Sequence, residues 1–191
     1  MSNRKTKICW LDLETEGADA ATCLILEVGM VVTTVDLQEV ERYEGVVGLN
    51  GATDPDYADA HVRVIHVANG LDALVRASTK SSEDVEREAI GVLSRHGKPG
   101  EFILAGSGVG HFDKRFLANQ MPVLHSWFRY YVYDVGVVRR LLVSAGRAAL
   151  VGEKPNKPHR ALGDALLHLE EWRRYVALVQ GIPFAKDGEG E

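Results

Sequence analysis

The first fifty residues contain three hydrophobic segments that are separated by short polar stretches. They cover residues 5–14, residues 24–35 (LILEVGMVVTTV) and residues 39–49 (EVERYEGVVGL). Segments of this length that are rich in β-branched, aromatic and other apolar residues predict β-strands. Because no long helical pattern lies between them, they predict an antiparallel meander.

Helical patterns and short buried strands alternate along the rest of the chain. A short helix is predicted over 61–71, ending near Gly70, and a longer helix over 81–97, which Ser81 or Ser82 can cap. The remaining predicted elements are, in order, a strand over 101–107, a helix that begins in GHFDKRFLANQM and ends at Pro122, a strand at YYVYDV, a helix over 135–146, and a helix from near His159 to about Gln180 with apolar residues at the helical period.

This order of elements predicts the fold class. Three antiparallel strands followed by alternating helices and strands favour an α/β fold with a mixed β-sheet flanked by helices. We expect a single domain over residues 1–180, interrupted by a polar loop over 152–158. The polar end of the chain, residues 181–191, predicts a flexible tail.

The charges are unevenly distributed along the chain. The 191 residues have a net charge of −5, with 10 basic and 18 acidic residues over 1–110 but 11 basic and 6 acidic residues over 111–180. The net negative charge argues against general coating of nucleic acid. An acidic half beside a basic half suits an anionic ligand that is held by one part and acted on in the other, although solvated surfaces explain the same pattern.

The sequence predicts a cytoplasmic protein. The basic N-terminal residues are not followed by the apolar segment of a signal peptide, and no apolar run approaches the roughly 20 residues of a membrane span. Cys9 and Cys23 lie among apolar residues. They are interpreted as two reduced core thiols, with a disulfide as the minor alternative.

The segment WLDLETEG places two carboxylates in the first strand. Asp12 and Glu14 are two residues apart, so their side chains point to the same face of the sheet. Two like charges about 5 Å apart repel by roughly 3 kcal/mol at an effective dielectric constant of about 20. On their own, these acids fit a solvated edge strand as well as a functional site.

Two further carboxylates and a histidine lie at the starts of predicted helices. Asp113 follows the strand over 101–107, Asp164 lies one turn into the last amphipathic helix, and His159 lies just before that helix, on a loop from which it can swing toward the acids. Each of the three also has a structural interpretation, such as a helix-terminal acid, an Arg160–Asp164 ion pair or a surface histidine. Together they suit divalent metal ions and phosphodiester hydrolysis, with the histidine as a base.

Three segments resemble the motifs of a known family. WLDLETEG, AGSGVGHFDKRFL and HRALGDALLHLEEWRRY look like the three motifs of the DEDDh 3′-to-5′ exonucleases, which have a ribonuclease H-like fold. HVRVIHVANGLDALVRAST and YYVYDVGVVRRL make the chain most similar to the oligoribonuclease group. The resemblance extends from about Ile8 to Val179.

The resemblance implies roles for individual residues. The metal ligands would be Asp12, Glu14, Asp113 and Asp164, and His159 would be the general base that deprotonates the attacking water. The cofactors would be two divalent metal ions, Mg²⁺ or Mn²⁺. The reaction would release nucleoside 5′-monophosphates from the 3′ end of short single-stranded RNA.

The resemblance also implies substrate-binding residues and a homodimer. Leu13 and Thr15 would contact the terminal nucleotide, His66 and Ser107 match positions on the substrate side, and Tyr130 resembles a tyrosine that reaches into the site of the neighbouring subunit. Arg160 is a further candidate from its position beside His159, where it could contact phosphate.

The chain also departs from the oligoribonuclease pattern. Ala18 replaces a bulky leucine, and Ala60 or His61 replaces a tryptophan. Both changes favour a wider cleft that accepts longer single strands or DNA. A proofreading-type DNA exonuclease and an inactive binding module therefore remain alternatives to the exoribonuclease.

Several other polar residues are interpreted as structural. Asp134 is predicted to cap the helix over 135–146. GSGVG lacks the third glycine of a dinucleotide-binding fingerprint, because His111 stands in its place. His66, His111, His125 and His168 are predicted to be structural or surface groups rather than metal ligands.

Overall fold

The computed structural model describes residues 7–49, 54–151 and 159–181. Its five strands are β1 (Lys7–Thr15), β2 (Ile25–Thr34), β3 (Glu39–Val46), β4 (Phe102–Gly106) and β5 (Phe128–Asp134). Its α-helices are α1 (Ala60–Ala68), α2 (Leu71–Ala77), α3 (Ser82–Ser94), α4 (Asp113–Gln120), α5 (Pro122–His125), α6 (Val135–Ser144) and α7 (Ala161–Gln180).

The strands form one mixed sheet in the order β3-β2-β1-β4-β5. β1 pairs with β2, and β2 with β3, in the antiparallel sense, whereas β4 is parallel to both β1 and β5. The predicted meander, mixed sheet and α/β class are therefore confirmed. β1, which contains Asp12 and Glu14, lies at the centre of the sheet rather than at an edge.

Two hydrophobic clusters cover the two faces of the sheet. Leu11 and Leu13 of β1 belong to a cluster with residues of α3, α4 and α5, including Phe116. Trp10 belongs to the opposite cluster, with Leu169 of α7. Because side chains alternate along a strand, Asp12 and Glu14 share the face of Trp10 and point toward α7.

The helix boundaries agree with the predicted signals in most places. Ser81 caps α3 in a reciprocal capping box with Asp84, and the Asp134 side chain accepts from the Val137 amide at the start of α6. α4 ends at Gln120, and Pro122 opens the one-turn helix α5. α2 was not predicted, because its seven residues bury only Leu71 and Val75 and give too short a pattern to recognise.

Some predictions fall outside the described residues. They concern the polar loop over 152–158, the first two residues of the predicted strand over 5–14, and nearly all of the tail over 181–191. The single domain over residues 1–180 stays a prediction. No helix in the described ranges is long and apolar enough to cross a membrane.

α7 lies unusually close to the sheet. Gly29 of β2 pairs with Asp12 of β1, and a Cβ atom built on Gly29 would lie 2.1 Å from both the carbonyl carbon of Ala161 and the amide nitrogen of Leu162. A side chain at this position would overlap the helix backbone. The first turn of α7 can therefore rest on β2 only because residue 29 is glycine.

We expect Gly29→Ala to lower the free energy of unfolding by about 1–3 kcal/mol, because the added methyl group forces α7 away from the sheet. Gly91→Ala is the matched control. Gly91 lies in α3, where the nearest atom to an added Cβ is a guanidinium nitrogen of Arg95 at 4.0 Å, and alanine in a helix is favoured by up to about 1 kcal/mol. Urea unfolding of both variants measures the difference. A Gly29→Ala protein as stable as the wild type would contradict this packing.

Candidate active site

β1 places two carboxylates over the start of α7. The side chains of Asp12 and Glu14 are 14% and 13% exposed. They point away from the Leu11 and Leu13 cluster, as the alternation predicts. The two acids therefore lie in a shallow site with α7 behind it, and they are not on a solvated edge.

α7 and His159, two residues before it, complete a compact group. Asp164 lies in the first turn of the helix and is 2% exposed. One ligand atom from each of Glu14, His159 and Asp164 can be chosen so that all three lie within 4.8 Å of one another. The structure thus brings together three of the five predicted catalytic residues through β1 and the N-terminal end of α7.

The fourth carboxylate is fixed to β1 by a hydrogen bond. Asp113 begins α4 and is 3% exposed. Its Oδ1 atom accepts from the amide of Leu13 at 3.0 Å, which places it against the strand between Asp12 and Glu14. A helix-terminal acid would not need this contact, which spans 100 residues of sequence.

Two buried histidines contact the acids of β1. His66 Nε2 is 2.9 Å from Glu14 Oε2, and His168 Nδ1 is 3.8 Å from Asp12 Oδ1. Both histidines are 2% exposed. His66 was predicted to face the substrate and His168 to be structural. The presence of His168 beside the acids could have been predicted from its position four residues after Asp164, because this spacing places both side chains on one face of a helix.

A pocket of about 290 Å³ opens beside Glu14 and His159. Leu13, Thr15 and His66, which were predicted to bind substrate, line it. Three further apolar residues line the pocket and were not predicted: Val62 and Ile65 of α1, and Phe112 before α4. Gly17 and Ala18 complete the wall. The lining of this pocket is therefore largely apolar, and it also includes the Glu14 carboxylate and the imidazoles of His66 and His159.

The other predicted substrate-binding residues lie outside this pocket. Ser107 lies by the start of α6, where its Oγ would be 3.2 Å from a Cβ built on Gly136. Tyr130 lies on the edge strand β5 and is 90% exposed. Their roles stay predictions.

Arg160 contacts carboxylates of the sheet. Its Nε and Nη2 atoms are 3.0 and 2.6 Å from Oε1 of the fully buried Glu27, and Nη2 is 3.3 Å from Glu44. The hydrogen bonds to Glu27 raise the pKa of the Arg160 guanidinium above its ordinary value. The Arg160–Asp164 pair considered from the sequence gives way to this longer-range pair, and a phosphate contact by Arg160 stays a prediction.

The ligand set suits a hard divalent cation. It consists mainly of carboxylate oxygens, which Mg²⁺ and Mn²⁺ prefer. Glu14 and Asp164 bring two such groups to within 4.8 Å of each other, an approach that a bound cation would stabilise. The residues present therefore fit a metal centre, and Asp12 and Asp113 lie beside it.

Comparisons with known proteins give the family and the fold. The sequence model of the RNase T family, described as an exonuclease, matches residues 9–171. An oligoribonuclease from Hahella chejuensis is 33% identical over 175 residues, which cover 91% of this chain and 94% of the relative. An oligoribonuclease from Marinobacter nauticus is 32% identical over 171 residues, which cover 88% of this chain and 93% of the relative.

Solved structures support the fold. The zinc-bound crystal structure of E. coli exonuclease I with single-stranded DNA aligns with 92% of this chain, with a TM-score of 0.68 and 14% identity. This chain spans 41% of that larger protein. The likeness confirms the ribonuclease H-like fold that the sequence motifs imply. The protein therefore belongs to the RNase T exonuclease family and is a 3′-to-5′ exonuclease of the oligoribonuclease group.

Proposed function

We propose that the protein is a metal-dependent 3′-to-5′ exoribonuclease that hydrolyses short single-stranded oligonucleotides to nucleoside 5′-monophosphates. One observation carries the site assignment. Glu14 of β1 is far in sequence from His159 and Asp164 at the start of α7, yet one ligand atom from each of the three lies within 4.8 Å of the others, next to an apolar pocket. Asp12 and Asp113 flank this group from β1 and α4.

The carboxylates hold the metal ions in this proposal. Asp12, Glu14, Asp113 and Asp164 would bind two ions, Mg²⁺ or Mn²⁺, because these ions prefer oxygen ligands. Bound there, two such ions would supply Lewis-acid stabilisation to the oxygens of a phosphodiester and would reduce the repulsion among the carboxylates. His66 and His168 lie against Glu14 and Asp12 and restrict the orientations of these two ligands.

His159 acts as the general base. It takes a proton from the water that attacks the last phosphodiester, since a neutral imidazole nitrogen can accept that proton. The bond between phosphorus and the 3′ oxygen of the preceding nucleotide breaks. The products are a nucleoside 5′-monophosphate and a strand, shorter by one nucleotide, with a new 3′-hydroxyl.

The pocket beside Glu14 receives the terminal nucleotide. Leu13, Val62 and Phe112 provide apolar walls for a base, while Thr15 lies deeper and donates to the carbonyl of Gly17 at 2.7 Å. Because the side chain of Ala18 is small, the pocket is open on the side that Ala18 lines. This opening favours strands longer than a dinucleotide, and it is the reason to test DNA beside RNA.

A homodimer belongs to the same proposal. β5 is an edge strand, and the adjacent α6 exposes apolar side chains, with Val137 at 53% and Leu141 at 63%. Tyr130 projects from the same edge and is 90% exposed. A second copy on this edge would cover the apolar residues and allow Tyr130 to contact the substrate of its partner.

The proposal includes a cytoplasmic location. Cys9 and Cys23 are both free and buried, as predicted for core thiols. Burial raises the pKa of the Cys9 thiol far above its ordinary value, which makes the thiol inert. Free thiols in the core suit a reducing compartment.

The decisive assay of activity follows 5′-labelled RNA and DNA strands of about two to ten nucleotides with Mn²⁺ or with EDTA. We expect a ladder that shortens from the 3′ end of RNA, disappears in EDTA and extends to strands longer than two nucleotides. Preferential cleavage of DNA would favour the proofreading-type alternative. A protein that binds Mn²⁺ but cleaves neither strand would be a binding module and would refute the proposed activity.

Asp12→Asn should abolish cleavage without loss of stability. The substitution keeps the size of the side chain, removes one metal ligand and lowers the repulsion with Glu14, so the melting temperature should stay equal or rise. The matched control is Asp36→Asn. Asp36 is exposed and follows Thr34, which pairs with Lys7 at the opposite end of β1. Retained ladder formation by Asp12→Asn would remove Asp12 from the site.

Leu141→Glu should convert the dimer into a monomer of 21.0 kDa in sedimentation velocity, because the charge falls on the apolar face of α6. Leu74→Glu, on an exposed position of α2, should leave the dimer intact. Tyr130→Ala should keep the dimer and raise KM. A wild-type protein that sediments as a monomer at all concentrations would disprove the homodimer.

A further inference from the structure

We propose that Asn69 is a positioning residue that fixes the backbone of His159, and thereby aims the imidazole of the base at the acid cluster. The inference rests on the proposed role of His159. The sequence placed His159 on a loop from which it could swing. The contacts of the described residues instead hold its main chain from two sides.

The backbone of His159 has an unusual conformation. Its φ angle is +48°, and within the described ranges only one other non-glycine residue, Leu37, has a positive φ. The left-handed region is unfavourable for a residue with a Cβ atom, so the conformation persists only where surrounding contacts enforce it. Such residues cluster at functional sites, which makes the enforcing contacts worth identifying.

Glu27 provides the anchor on the C-terminal side. Its carboxylate binds the Arg160 guanidinium and also accepts from the amide of Ala161 at 2.8 Å. Glu27 is fully buried in β2. The two residues that follow His159 are therefore fixed to the sheet.

Asn69 provides the anchor on His159 itself. The Nδ2 group of Asn69 donates to the carbonyl of His159 across a separation of 90 residues. The donor is held in place in turn, because Asn69 is the C-cap of α1 and its Oδ1 accepts from the Leu71 amide at 3.0 Å. α1 is fixed to the site by His66, its one buried residue, which contacts Glu14.

These two anchors define the direction of the His159 side chain. With the carbonyl of residue 159 bound on one side and residues 160 and 161 bound on the other, the φ angle cannot relax without breaking a contact. Relaxation would carry the imidazole away from Glu14 and Asp164. Misplacement of a catalytic group by about 1 Å can lower a rate by about 10²-fold, so Asn69 should affect turnover more than substrate binding.

The chain offers a sharp variant for this test. Asn69→Asp keeps the oxygen that accepts from the Leu71 amide but replaces the donor to His159 with an acceptor. Asn119→Asp is the matched control, because the Nδ2 group of Asn119 donates to another backbone carbonyl, that of Ala20, at 2.5 Å. Asn69→Ala repeats the loss of the donor without adding a charge near the acids.

The first measurement is a double-mutant cycle of Asn69→Asp with His159→Ala, with kcat and KM measured on a labelled RNA strand. We expect Asn69→Asp and Asn69→Ala to lower kcat by about 10- to 100-fold with KM changed less than about threefold. In the His159→Ala background the further loss should fall below about twofold, because the group being positioned is gone. An equal loss in both backgrounds would overturn the inference, as would an unchanged kcat.

The second measurement does not depend on nuclease activity. In metal-free protein, the ¹H–¹⁵N heteronuclear NOE of the His159 and Arg160 amides should fall in both Asn69 variants and stay at the wild-type value in Asn119→Asp. Unchanged values in the Asn69 variants would refute the positioning role, whatever the kinetics. If instead the wild-type enzyme cleaves no strand while the NOE falls as expected, the proposed function fails and the structural role of Asn69 stands.

Discussion

A single buried carboxylate, Glu27, determines where α7 meets the sheet. It lies opposite Glu14 in the pairing of β1 with β2 and is completely buried. An unpaired charge in such a position costs several kcal/mol, so the fold must bring a cation and a donor to it. Arg160 and the Ala161 amide meet this need, and both lie at the start of α7. Gly29 provides the space for this approach. Asp164, one turn later, is then brought within 4.8 Å of Glu14 by the geometry of the helix.

The acids on this face of the sheet are compensated in different ways. Glu27 has a permanent cation in Arg160, and Asp113 has a backbone amide. Glu14 and Asp12 have the histidines His66 and His168, whose charge depends on protonation. The structural acid Glu27 is therefore paired with a permanent cation, whereas the two acids of β1 contact imidazoles.

Much of this arrangement could be predicted from local patterns, and the remainder depends on long-range contacts. Alternation along β1 placed Asp12 and Glu14 on one face, and the helical pattern near the end of the chain placed Asp164 one turn into the last helix. The ion pair between Arg160 and Glu27 could not be predicted, because the two residues are 133 positions apart. In the sequence, Glu27 resembles any other acid within a strand. The pocket residues Val62 and Ile65 were missed for a similar reason. In the sequence they are two apolar residues of a short predicted helix. They become part of the pocket lining only because α1 packs beside β1.

The same packing places the proposed metal ligands and the walls of the proposed substrate pocket on different elements of the fold. The four acids proposed as metal ligands lie on β1, α4 and α7. These elements are fixed to the sheet by Glu27, by the Asp113–Leu13 hydrogen bond and by the core. The pocket walls come largely from α1 and from the residues after β1, where Val62 and Ala18 face open space beside Glu14. α1 buries only His66 and can change its exposed side chains with little effect on the core. Substitutions at exposed positions of α1 would therefore change the walls of the proposed substrate pocket, whereas His66 and Asn69 connect this helix to Glu14 and to the backbone of His159.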